Sequence, residues 1–413
     1  MISLESYKFN SNNTVTKIPD LYKFRNLSSI GVFALPHTTE IVYIPDSVKG
    51  TLPRIVNNTT LTDITIGAGV TTLQQVLFEQ KAIRQFVIPD NVTTLGGQVF
   101  DNAANLKKLV YGENAKTLTG SYHARNVSLT DLYVPSVNFL LTSNVILGKT
   151  TKTTTYVGKI DPIREDNGIY GSVITGYDWE KLEQERVLVT TKMVNEALKE
   201  VTQCKNLYNM SQLTGHLIIP DNIETLGSLE GTKLEQLTIG NGITSLPNNF
   251  CNSVTSLTGE INMPDSITSI GTSAFNGCVN LEIENIELPN LTTIGAYAFR
   301  NTKIKNITDL GSITYIGGDL CYACTSLIKV VIPDSVTEIA LNAFAQCRSM
   351  TTFIVNSVSP PTITGYYTIE GSSQLKIYVP DQSVEAYKSA SGWSAYASSI
   401  RPFSDIEGIR LEL

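Results

Sequence analysis

Along most of the chain, apolar positions recur as apolar-x-x-apolar-x-apolar. Examples are Leu61/Ile64/Ile66, Ile83/Phe86/Ile88, Leu106/Leu109/Tyr111 and Leu129/Leu132/Val134, and later Leu234/Leu237/Ile239, Leu327/Val330/Ile332 and Met350/Phe353/Val355. The last two members alternate with a period of two, as a strand with one buried face requires. A proline often follows directly, in Ile18-Pro19-Asp20, Ile44-Pro45-Asp46, Ile88-Pro89-Asp90, Ile219-Pro220-Asp221, Ile332-Pro333-Asp334 and Val379-Pro380-Asp381. Proline has no amide hydrogen for a ladder and sets its own φ, so each strand is expected to end there and the chain to turn. The Asp, Asn or Ser that comes next is expected to act as a local side-chain acceptor for that turn.

The proline slot is periodic. Pro45, Gly67, Pro89, Gly112 and Pro135 lie 22, 22, 23 and 23 residues apart, and Pro220, Gly240, Pro264, Pro289, Leu310, Pro333 and Asn356 lie 20 to 25 apart. After the slot a second apolar group begins, as in Ile267-Thr268-Ser269-Ile270-Gly271 leading to Ala274-Phe275, or Val336-Thr337-Glu338-Ile339 leading to Ala343-Phe344. This period belongs to solenoids. So short a strand cannot bury its apolar side alone, but coils stacked at ~4.8 Å per strand share one continuous core.

The unit L-x-x-[VI]-x-I-P-[DN]-[SN]-[VI]-T-x-I-G-x-x-A-F-x-x-C, clearest at Met263 to Cys278 and Leu327 to Cys347, resembles the BspA-type leucine-rich repeat. The resemblance covers residues 45–135 and 217–356 and departs from the standard leucine-rich unit in lacking a regular asparagine ladder. The tail from Ile377-Tyr378-Val379-Pro380-Asp381 to Ile400-Arg401-Pro402 also resembles the segment that closes such arrays. The resemblance implies a leucine-rich-repeat solenoid, an α/β repeat of parallel strands with short irregular or helical return limbs, elongated and curved. It also implies non-catalytic recognition, in a family found among surface adhesins of gut and oral bacteria, in some protists and in phages of gut bacteria.

Five segments follow from the spacing: an N-terminal segment or cap (1–40), a first repeat array (41–147), an insertion (148–206), a second repeat array (207–356) and a C-terminal strand-helix cap (357–413). The insertion shows as a jump of 85 residues between the slots at Pro135 and Pro220. Within it Thr150 to Tyr156 is threonine-rich and Asp161 to Tyr177 is punctuated by Pro and Gly, a loop signature. Asp178 to Cys204 reads as one helix, with Val194, Ala197, Leu198 and Val201 on one face. That helix either covers an irregular junction of the solenoid or offers a surface to a partner. In the tail, Leu375 to Val379 reads as a strand and Ser383 to Ile400 as a helix carrying Val384, Tyr387, Trp393, Tyr396 and Ile400, which would cap the last coil.

Composition changes this picture little. The chain has 413 residues, 42% hydrophobic, so it can bury a large core; its net charge of −7 offers no basic footprint, and nucleic-acid binding is disfavoured. Membrane insertion is not expected, because no run of roughly 18 apolar residues occurs. Met1 to Asn13 lacks the basic start, apolar stretch and cleavage site of a secretory signal, which weighs toward a chain that is not exported that way. Cys321-Tyr322-Ala323-Cys324 has C-x-x-C spacing, but both cysteines fall in the core slots of the repeat, without a second pair or a His cluster. His37, His123 and His216 are isolated, and G-x-S-x-G, phosphate-loop and H-E-x-x-H motifs are missing. Neither an enzyme nor a cofactor or metal is expected.

A more informative row lies between the last two apolar positions of each strand, whose side chains point away from the core: Thr65, Val87, Val110 and Tyr133, then Thr238, Thr308, Val331 and Ile354. Val87, Val110 and Tyr133 are expected to form an exposed apolar stripe flanked by Arg84, Lys107 and Lys108. Together with Val331 and Ile354 these are the candidate partner-binding residues. The plainer alternative is that β-branched residues there serve strand propensity alone. The expected function is a non-catalytic binding or attachment protein recognising a protein or glycan partner on a bacterial or host surface. The alternative is a structural or assembly component of a phage virion, making permanent contacts with other subunits or with copies of itself.

Overall fold

The computed structural model describes residues 2–4 and 27–406, except 33, 36–38, 56–59, 75–81, 98, 101, 120–126, 128, 145–148, 151, 167–171 and 366. The Ile18-Pro19-Asp20 copy, His37 and His123 lie outside the described residues. The chain is a parallel-strand solenoid, as the spacing requires, and divides into two compact units, Met1–Val189 and Thr190–Leu413.

In the first unit β1 (Ile41–Tyr43) pairs in parallel with β2 (Asp63–Thr65). A second parallel ladder joins β3 (Gln85–Ile88), β4 (Lys108–Tyr111), β5 (Asp131–Val134) and β6 (Thr154–Val157), so that Val87 faces Val110, Val110 faces Tyr133 and Tyr133 faces Tyr156. Phe86, Ile88, Leu109, Tyr111, Leu132 and Val134 are buried inward, as the alternation predicts. The threonine-rich stretch is therefore a strand and not a loop. Its inward positions are the buried Thr153 and Thr155, and Thr153 Oγ1 donates to Leu129 O at 2.8 Å, so a hydroxyl sits in a core slot that a purely apolar pattern passes over. After β5, Ser136 caps α1 (Val137–Thr142), its Oγ accepting from Phe139 N at 3.1 Å.

The turn residues work differently from the local role expected of them. Asp46 Oδ1 accepts from Ala68 N (2.6 Å), Asp90 Oδ1 from Glu113 N (2.8 Å) and Asp221 Oδ1 from Asn241 N (2.7 Å), each one coil ahead. The next residue reaches backward: Asn91 Nδ2 donates to Gly67 O and Val70 O, and Asn222 Nδ2 to Leu198 O and Val201 O. Pro-Asp-Asn thus links three successive coils. The same geometry explains the glycines in the slot, because a Cβ on Gly67 would lie 2.5 Å from Ile44 O and Pro45 C, and one on Gly112 2.7 Å from Asp90 N and Pro89 C. The coils that follow Pro45-Asp46 and Pro89-Asp90 therefore accept only glycine there.

The insertion departs most from expectation. The region read as a loop is an antiparallel hairpin, β7 (Pro162–Asp166) with β8 (Ser172–Tyr177). The single helix read over 178–204 is broken into α2 (Trp179–Glu185), a short strand β9 (Val187–Leu188) antiparallel to β6, and α3 (Thr191–Leu198), which begins the second unit. Two caps account for the break: Asp178 Oδ1 accepts from Lys181 N at 2.9 Å, and Thr190 Oγ1 accepts from Met193 N at 3.4 Å, each starting its own helix. Between them the run Val187-Leu188-Val189 is better suited to the sheet edge that it joins.

In the second unit α3 lies against β10 (Thr214–Ile219), which pairs in parallel with β11 (Lys233–Ile239). Asn195 does the work of a neighbouring peptide: its Nδ2 donates to His216 O (3.0 Å) and its Oδ1 accepts from Ile218 N (3.0 Å), while Thr191 Oγ1 donates to Thr214 O (2.6 Å). The outer edge of β10 is thereby satisfied by side chains and covered by a helix. A seven-stranded parallel sheet follows: β12 (Gly259–Glu260), β13 (Leu281–Glu287), β14 (Lys303–Asp309), β15 (Lys329–Ile332), β16 (Thr352–Val355), β17 (Lys376–Val379) and, after α4 (Val384–Ser389), β18 (Ile400–Pro402). The tail is accordingly a short helix, a 3₁₀ turn at Ser394–Tyr396 and a last strand, where one helix was expected. Trp393 and Tyr387 are fully buried, Trp393 Nε1 donating to Pro361 O and Tyr387 Oη to Ser357 O, both at 2.7 Å.

The return limbs of this unit are joined by their own ladder. N–H groups of Asn249, Cys251 and Ser253 donate to the carbonyls of Thr272, Ala274 and Asn276; Ser273, Phe275 and Gly277 donate in turn to Ala296, Ala298 and Arg300, and the same step recurs through Ala323. The outer members of each trio, such as Asn249 and Ser253 or Asp319 and Ala323, have positive φ, between 54° and 73°. Inside, Phe250, Phe275 and Phe299 pack with centroids 5.6 and 5.7 Å apart.

Candidate binding surfaces

The stripe expected to be exposed in the first unit is covered. Val87, Val110 and Tyr133 do point away from the solenoid core, yet they are 4%, 2% and 0% exposed. They form a separate apolar cluster with Leu182 of α2, against which Tyr156, Ile160, Tyr177 and Trp179 pack. The alternation places these side chains on the outer face of the sheet, but the hairpin and α2 fold back over that face. The apolar residues are there because the chain itself is their partner.

Charged groups hold this cover at its edge. The Tyr133 hydroxyl donates to Glu183 Oε1 (2.8 Å) and accepts from Arg186 Nη1 (3.0 Å). Arg186 also pairs with Glu183 Oε2 (2.6 Å) and Asp131 (3.5 Å), and its guanidinium lies 4.3 Å from the centre of the Tyr156 ring, which stacks on Tyr133. Lys108, expected to flank a free surface, is bonded to Glu183. Partial burial alone would raise the Glu183 pKa, but hydrogen bonds from Lys108 and Tyr133 hold it below the usual carboxylate range. Burial and the Glu183 bond push the Tyr133 phenol upward, so it stays protonated. Of the remaining candidates in this unit, Arg84 is exposed and Lys107 half-buried.

In the second unit the corresponding outward row runs Thr308, Val331, Ile354, Tyr378 and Arg401, aligned by the register of β14 to β18. Val331 is half-buried, and Ile354, expected at the surface, is only 5% exposed because it is flanked by Val331 and Tyr378 at strand spacing. Toward the start of the sheet the face is polar. Lys305 pairs with Glu284 (2.6 Å), Lys303 approaches Glu282 (3.9 Å) and Thr308 Oγ1 donates to Asn285 Oδ1 (2.8 Å). His216 reaches Thr238 Oγ1 across β10 and β11 at 2.8 Å.

The structure therefore brings Val87, Lys108, Val110 and Tyr133 into one internal contact and sets Val331 beside Ile354. Leu182, Glu183, Arg186, Tyr156 and Tyr177 were not foreseen at this face. The available signal was local: Asp178 as a cap, with Trp179 and Leu182 on one helical face three residues apart. All six cysteines are buried; Cys278, Cys324 and Cys347 each donate Sγ–H to a carbonyl of an earlier coil, and burial pushes the Cys278 thiol up to about 12. Among the described residues, no three His, Cys, Asp or Glu side chains are grouped to hold a metal ion, and no helix is long and apolar enough to cross a membrane.

The profile of the BspA type leucine rich repeat region matches the chain in six copies, over residues 2–130 and 248–376. No curated protein matches the sequence. Among solved structures, a leucine-rich repeat protein from Bacteroides ovatus is similar at 18% identity, covering 97% of this chain and 87% of that one with a TM-score of 0.41. A leucine-rich repeat protein from Eubacterium ventriosum is similar at 17% identity (80% and 90% covered, TM-score 0.38). A leucine rich cell surface protein from Faecalibacterium prausnitzii is similar at 18% (86% and 87% covered, TM-score 0.32).

Proposed function

Because this chain belongs to the BspA-type leucine-rich-repeat family, we propose that it is a non-catalytic recognition protein that holds a protein or glycan partner on a bacterial or host surface. The observation that carries this reading is the in-register outward row of the second unit, where parallel strands repeat the same side-chain position from coil to coil. Such a face presents hydrogen-bonding and charged groups around Glu284, Asn285 and Lys305, followed by the apolar Val331. Each exposed ion pair contributes little by itself, so affinity would come from many weak contacts spread along the sheet. The stripe of the first unit is not part of this surface, because its own insertion occupies it.

The test uses the full chain. Native mass spectrometry sets the oligomeric state, and immobilised bacterial-envelope and epithelial-surface extracts measure capture. The reading expects a monomer or small oligomer that is captured, and a Lys305→Glu/Val331→Glu variant that loses at least about tenfold in affinity, roughly 1.4 kcal/mol, while melting at an unchanged temperature. Unchanged capture would remove the second-unit face from the proposal. A closed symmetric assembly that captures nothing would replace it with the virion-assembly reading.

A further inference from the structure

We propose that the first unit contains a second binding site, a small pocket for a single neutral sugar ring, between the outer face of the sheet and the hairpin that covers it. The cover does not seal the face completely. It leaves a cavity of about 200 Å³ with Val87 and Val110 on the sheet side and Ile160, Ile174 and Tyr177 on the hairpin side. At ~30 Å³ per water this is room for roughly seven waters. It is enough for one sugar ring and too little for a peptide segment.

Three features select the ligand class. The floor is apolar, and it meets the C–H face that a pyranose ring presents. The mouth holds acceptors and donors together, Asp90 and Glu113 with Lys159 and Arg164, all exposed. The cations are already matched, Lys159 by Glu113 and Arg164 by Asp46 at 3.7 Å, and Asp90 adds a further carboxylate, so the pocket carries no excess positive charge to attract an anion and suits an uncharged polyol. The third feature is the Tyr177 hydroxyl, which is buried and has no hydrogen-bond partner among the described residues. A buried hydroxyl without a partner is costly, and this one can both donate to and accept from a sugar hydroxyl. Burial pushes its pKa up, so the proton stays on the oxygen.

The proposal is independent of the second-unit face and is tested separately. Methyl glycosides of glucose, galactose, mannose, fucose, N-acetylglucosamine and N-acetylgalactosamine are titrated against the full-length protein. Binding is followed by ligand-observed saturation-transfer NMR and by the fluorescence of Trp179, which packs beside the pocket; N-acetylneuraminic acid serves as the anionic comparison. At least one neutral glycoside is expected to saturate. Tyr177→Phe should weaken it about fivefold or more, without loss of thermal stability, because the hydroxyl that it removes bonds to nothing in the free protein. Ile174→Trp, which fills the cavity from the hairpin side and leaves the solenoid core untouched, should abolish it. If no glycoside saturates, if binding survives both substitutions, or if the anionic sugar binds equally well, there is no neutral-sugar site here.

Discussion

Val110 in the first unit and Val331 in the second occupy the same place in their coils, the outward position between two inward apolar residues. Val110 is buried under Leu182 and the stacked pair Tyr133/Tyr156, whereas Val331 is half-exposed beside Ile354. The repeat dictates where these side chains point, and the segment between the repeats decides what they touch. An apolar outward residue therefore signals a partner, but the partner can be forty or more positions along the same chain.

Four substitutions would sharpen or break this contrast. Tyr133→Asp should have the largest effect, about 3–5 kcal/mol, since it places an unpaired carboxylate beside Glu183 and Asp131 in a closed cluster; a denaturant titration would show the first unit unfolding early. Leu182→Ala should cost about 2–3 kcal/mol and release the cover, seen as a red shift in Trp179 emission with the solenoid's far-UV signal retained. Glu183→Gln should cost less, about 1 kcal/mol, and remove a pH dependence. Because the folded pKa of Glu183 is depressed, its contribution is present above the usual Glu value of about 4.3 and is lost as pH falls through the folded value. An acid titration of the wild type should therefore show destabilisation that the Gln variant lacks. Val331→Asp should be nearly silent for stability, within about 0.5 kcal/mol. A loss as large as that of Tyr133→Asp would mean that the two faces are equally closed.

The coil itself was legible because it is written in side-chain type and spacing. Ile88 and Ile332 recur before Pro-Asp, and the sulfur of Cys324 falls in the slot of Cys278 and Cys347, all buried as read. Trp393 was read as part of a helix over residues 383–400, and the end of that segment is strand β18 instead. The direction of the Asp46, Asp90 and Asp221 bonds was hidden, because a side chain that serves its own turn and one that serves the next coil have the same sequence signature. The insertion was hidden for a different reason. Its helical periodicity runs through Val187 and Leu188, and only the unfilled edge of β6 converts those residues to a strand. No local pattern reports that edge.

The return-limb ladder of the second unit gives its stack a sense of direction. From Asn249 to Ala323 every amide in the trios faces forward and every carbonyl backward, so the peptide dipoles add along the stack much as they do in a helix. Phe344 still finds a carbonyl, that of Thr368, but Gln346 N–H ends on the Glu370 carboxylate at 2.9 Å, an anion set where the forward-facing donors run out. A coil duplicated in the middle of this run would meet acceptors on one side and donors on the other without any change of sequence. One appended beyond Glu370 would need its own terminator, so the stack is built to lengthen from within.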